Sequence, residues 1–152
     1  MQDGHLRLKG SPPLICVAAA AANEDVAHVV ERCIHKMYRA GRQWRHWLIE
    51  ESTDSDVCSD GRQFAARLPT VYGYVVKYSV LAIMTWDSCL GDEEGIAKPV
   101  RTIGTYDWKI EGQDVWHALA VGIVECKARK YLLELDRARL LGEDRVESDP
   151  DL

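Results

Sequence analysis

Over residues 23–51 the apolar side chains return every three or four positions, at Val26, Val29, Val30, Cys33, Met37, Ala40, Trp44, Trp47 and Leu48. That period predicts a long amphipathic helix with one face to bury. Asn23 is placed to cap it, Glu24 and Asp25 suit the positive end of its dipole, and its cations gather toward the negative end. A helix of this length needs a second layer to cover its apolar face. The 152 residues, 47% of them apolar, are enough for a single domain over 1–152 with a real core. No apolar run reaches the roughly 18 residues of a membrane span, so no membrane partner is expected.

Strands are expected to supply that layer. Residues 71–86 are apolar nearly all round and rich in Val, Tyr and Ile, which fits a buried strand pair better than a buried helix. From 100 to 110 the larger apolar residues Val100, Tyr106, Trp108 and Ile110 share one parity, with Arg101, Asp107 and Lys109 on the other. Glu111-Gly112-Gln113-Asp114 then has the composition of a hairpin turn, and 115–125 would be the returning strand. Trp116, Leu119, Ala120, Ile123 and Val124 also suit a helix running unbroken to 141; Gly122 and the Val-Gly-Ile-Val sequence favour the strand. A helix is expected over 127–141, stopped by Gly142. The expected fold is α+β, in α-β-β-β-α order, with both helices on one face of a three- to four-stranded mainly antiparallel sheet. An all-α bundle is the alternative.

The segments outside this frame are read as connections and tails. Residues 1–22 form an N-terminal extension, 52–61 a solvated acidic loop, 87–98 a polar insert and 143–152 a flexible acidic tail. Arg7 and Lys9 ahead of the apolar stretch 14–22 have the outline of a signal peptide, but Pro12 and Pro13 interrupt it and its second half is alanine. Five cysteines, Cys16, Cys33, Cys58, Cys89 and Cys126, contain no CxxC pair, so reduced thiols and a cytoplasmic location are expected.

Two constellations could carry function. At about 100° per residue, Arg32, His35, Lys36, Arg39, Arg42 and His46 fall within one arc of the first helix, opposite Met37, Trp44 and Leu48. The row is spaced to neutralise nucleic-acid phosphates or the carboxylates of an acidic protein, although a solvated helix face can look the same. Trp47, on the flank of the apolar face, could be partly exposed beside the cations, whereas Trp44 belongs to the core. The net charge of −5 rules out a wholly basic binder but not a local patch.

The second constellation is Val121-Gly122-Ile123-Val124-Glu125-Cys126-Lys127, an apolar run ending in Glu-x-Lys, with Asp107 and Asp114 upstream. It resembles the signature of the PD-(D/E)xK nuclease superfamily over about residues 107–141, without the Pro-Asp pair or the strand after the second helix. The resemblance implies Glu125 and Asp114 or Asp107 as ligands of Mg²⁺ or Mn²⁺, with Lys127 as the catalytic lysine steadying the attacking water. Glu125 and Lys127 share a side only if the segment is a strand.

No phosphate-binding loop, nucleophile elbow or other cofactor motif occurs. The first expectation is therefore a small non-catalytic binding protein without a cofactor, an accessory, inhibitor or adaptor of phage or viral type, using the cationic face. The metal-dependent nuclease is the alternative, and a subunit of a larger assembly is a third. The apolar surface of 71–86 and of the second helix adds self-association to the expected partners.

Overall fold

The computed structural model describes residues 11–50, 66–88 and 100–137. The expected acidic loop, most of the polar insert, Gly142 and the acidic tail lie outside the described residues. The elements run β1 (Ile15–Ala19), α1 (Val26–Glu50), β2 (Thr70–Lys77), β3 (Val80–Asp87), β4 (Arg101–Asp107) and α2 (Asp114–Arg137). The class is α+β, with two helices and one four-stranded mixed sheet in the order β1-β2-β3-β4 among the described residues, so the all-α alternative does not hold.

Four differences in the elements separate this fold from the expected one, and a fifth lies in their layering, since the helices take opposite faces of the sheet rather than sharing one. First, 15–19, read as part of an extension, is strand β1, and it pairs in parallel with β2 (Cys16 opposite Gly73, Ala18 opposite Val75). A parallel pair needs a crossover connection, and α1 supplies it. Second, α1 begins at Val26, with the Asp25 carbonyl accepting the Val29 N–H at 3.3 Å, so Asp25 rather than Asn23 holds the capping position. Its last turn carries no cation. Third, Trp108 and Ile110 lie in the turn after β4, not on the strand. Fourth, 115–125 is the first half of α2 and not a strand.

The sheet is covered on both faces. α1 lays Val29, Cys33, Met37, Ala40, Trp44 and Leu48 against Cys16 and Ala18 of β1, Val71 and Val75 of β2, and Met84 and Trp86 of β3. The interposed parity, Tyr72, Leu81 and Ile83, packs with Val124 of α2, so α2 covers the opposite face. The later turns of α2 reach the first cluster, where Tyr131 meets Trp44 edge-on at 5.8 Å and donates its hydroxyl to Arg67 O at 2.7 Å.

Two glycines show how closely α1 sits on the sheet. A Cβ on Gly73 would collide with the sulfurs of Met37 and Cys33, and one on Gly41 would overlap the Trp86 ring. Trp44, fully buried, donates its indole N–H to Pro13 O at 3.2 Å. Burial raises the thiol pKa of Cys16, and burial with the neighbouring Cys16 pushes Cys33 up to about 11. The β2–β3 hairpin turns at Tyr78, a non-glycine residue at φ 52° whose hydroxyl donates to Ala22 O at 2.5 Å. No helix among the described residues is long and apolar enough to cross a membrane.

Candidate functional site

The cationic row of α1 divides into two parts. Backbone groups of Leu14 and Ala20 face β2, since Tyr72 N–H donates to Leu14 O and Ala20 N–H to Val76 O, each at 2.8 Å. Alternation therefore turns the carbonyls of Val17 and Ala19 outward along the open edge of the sheet. Lys36 Nζ donates to Val17 O and Arg32 Nη2 to Ala19 O, each at 2.7 Å. Arg32 also pairs with Glu24, and its hydrogen bond, with one from Ala21 N–H, holds the Glu24 carboxyl below the usual carboxylate range. These two cations blunt an edge strand that would otherwise offer a pairing template. They are not simply displayed to solvent, as the helical wheel alone suggests.

Arg32 and Lys36 are exposed, and so are the other four residues of the row. His35 lies 3.8 Å from Glu31 on the surface, and His46 is exposed. Arg39 and Arg42, three positions apart, carry no hydrogen bond or ion pair among the described residues. Trp47 is half-buried and meets Trp44 edge-on at 5.4 Å, so its ring serves packing.

The Glu-x-Lys constellation loses its geometric premise. Glu125 and Lys127 are exposed on a helix, two positions and so about 200° apart around its axis, which sends them to different sides. Asp114 opens the same helix and suits its positive end. Asp107 accepts hydrogen bonds from Lys109 N–H at 3.0 Å and Ser79 Oγ at 2.7 Å, which hold its carboxyl below the usual range, the backbone bond contributing most. Among the described residues no three His, Cys, Asp or Glu side chains form a group that could hold a metal ion.

The sequence missed a different surface. α2 buries His117, Val124, Ala128 and Leu135 along one face. On the other side Val115, Trp116, Leu119 and Ile123 are 70%, 67%, 49% and 48% exposed. At about 100° per residue these four fall within an arc of about 100°, opposite the buried face. Trp108 and Ile110 add exposed apolar surface in the turn that leads into the helix. That turn is firmly held, with Trp108 N–H on Ser79 O at 2.9 Å and Ile110 N–H on Asp107 O at 3.1 Å. The rings of Tyr106 and Trp108 close over the buried His117 at 5.3 and 5.2 Å. Because this half of α2 is apolar on both sides, it has no clean 3.6-residue period, and its β-branched content then imitates a strand. Comparison with known proteins yields no matching family model, curated protein or solved structure.

Proposed function

We propose that this chain is a non-catalytic binding protein, an accessory, inhibitor or adaptor, that docks on a protein surface through the outer face of α2. One observation carries the reading: the first three turns of α2 are apolar on the side away from the sheet as well as on the side against it. A helix that is apolar all round is ordinarily buried all round, and an exposed apolar face on a small domain marks an interaction surface. The exposed tryptophan, Trp116, is of the residue type most enriched among interface anchors.

Site-specific photocrosslinking tests it. p-Benzoylphenylalanine in place of Trp116 or Leu119 is expected to give discrete protein adducts in cells making the protein, while the same group in place of Arg39 on α1 gives none. Equal labelling from both helices, or none from α2, overturns the reading.

A second reading rests on Arg39 and Arg42, whose exposed guanidinium groups fit an acidic protein or a nucleic-acid backbone. Two phosphate contacts would give a log–log salt slope of about −1.8. Fluorescence anisotropy with short labelled DNA and RNA checks it: the expected rise is reversed by salt and absent from Arg39→Glu/Arg42→Glu. A signal that survives the double reversal contradicts it.

A further inference from the structure

We infer that the occupant of the α2 outer face is a second copy of this chain, its α2 packed antiparallel across the first. The inference rests on the docking reading above and names the partner. Two independent observations support it.

The first is a glycine that packs against nothing among the described residues. Gly122 stands in mid-helix with helical backbone, and a Cβ built on it meets nothing within 4 Å. A glycine there weakens the helix relative to alanine through backbone entropy. Gly41 and Gly73 make room for Trp86 and the Met37 sulfur; Gly122 makes room for nothing among the described residues. It borders the exposed stripe, between Leu119 and Ile123, where a missing side chain lets another helix backbone approach closely.

The second is the distribution of charge along the stripe. Residues 115–124 contain no Asp, Glu, Lys or Arg. Glu111 and Asp114 stand before this stretch; after it come Lys127 and Lys130 on the side of the stripe, with Glu125 and Arg129 further round the helix, all exposed. Glu134, 3.8 Å from Lys130, offsets part of the basic end, and Arg137 in the last turn adds to it. A parallel pair of α2 helices would set acid beside acid and base beside base. An antiparallel pair centred between Ala120 and Val121, next to Gly122, sets Glu111 of one copy level with Lys130 of the other and Asp114 level with Lys127, and also opposes the helix dipoles. The two-fold contact is self-complementary, as a closed dimer requires.

Sedimentation velocity on the full chain between about 1 and 200 µM tests the inference, with far-UV circular dichroism as the check on folding. The wild type is expected to be a dimer that dissociates on dilution, and Ile123→Glu a folded monomer throughout. Gly122→Ala should act in opposite directions: its dimer dissociation constant rises at least tenfold, while the thermal midpoint of the dilute monomer rises by a few degrees. Glu111→Lys should weaken the dimer and Glu111→Lys/Lys130→Glu should restore it. A dimer that survives both Ile123→Glu and Gly122→Ala overturns the inference, because another surface then holds it. A wild type monomeric at 200 µM overturns it as well, and crosslinking from position 116 then separates the two failures. An adduct with a different protein leaves the docking reading standing, and no adduct removes both.

Discussion

The two helices of this molecule are nearly equal in length, 25 and 24 residues, and cover opposite faces of one sheet. They differ in what they turn outward. α1 buries Val29, Cys33, Met37, Trp44 and Leu48 and exposes His35, Arg39, Arg42 and His46, the division expected of a helix whose interactions are complete within its own chain. α2 buries His117, Val124, Ala128 and Leu135 and exposes Val115, Trp116, Leu119 and Ile123. The difference teaches that the outer face of a helix reports on its partners, while the inner face reports only on the fold. By that criterion α2 is the element we propose for interaction, and part of the cationic display of α1 serves the sheet edge.

The comparison can be broken most forcefully with tryptophans. Trp44→Ala on α1 removes a fully buried ring, its bond to Pro13 O and its edge-on contacts with Trp47 and Tyr131. The expected cost is about 3–5 kcal/mol in denaturant unfolding. Trp116→Ala on α2 should change monomer stability by no more than about 0.5 kcal/mol while weakening association. Equal destabilisation by the two would contradict the assignment of faces. Glycines give the next largest contrast. Gly41→Ala drives a methyl group into the Trp86 ring and should cost about 1–3 kcal/mol, whereas Gly122→Ala should add up to about 1 kcal/mol to the monomer.

The smallest effect is a pH dependence confined to the α1 side of the sheet. The folded state holds the Cys33 thiol up to about 11 by burial, against about 8.5 in an unfolded chain. A group raised on folding gives its full contribution below the unfolded value and loses it as pH rises toward the folded one. Stability should therefore fall from about pH 8.5 upward, and Cys33→Ala should flatten that decline in denaturation midpoints read from pH 7 to 10. An identical decline in the variant would assign it to other groups, among them Cys16, also raised by burial, and Tyr74, pushed up to about 12 by burial and by Glu125.

What the sequence revealed follows the same contrast. The α1 period was legible because one side of that helix is polar, and the strand pair within 71–86 was legible from β-branched content; the strand ending at Asp107 was expected on a parity of which only Tyr106 lies on it. β1 was not, because Val-Ala-Ala along an edge strand looks like the start of an alanine-rich helix or leader rather than a sheet edge. α2 was not, because an apolar outer face erases the period that would identify it. Its strand-like Val-Gly-Ile-Val then gave Glu125 and Lys127 a common side that the helix takes away. Of the cationic row, the wheel placed Arg39 and Arg42 correctly on an exposed face. It could not foresee that Arg32 and Lys36 would find carbonyls of β1, since that strand was itself missed.

Hydrogen exchange of the wild-type chain at about 1 and about 200 µM, read peptide by peptide, distinguishes a paired α2 from a solitary one. Amides over 114–126 of α2 are expected to exchange more slowly at the higher concentration while those of α1 exchange alike at both. Identical exchange of α2 at the two concentrations would contradict the pairing, leaving the outer face of that helix without a second copy to cover it.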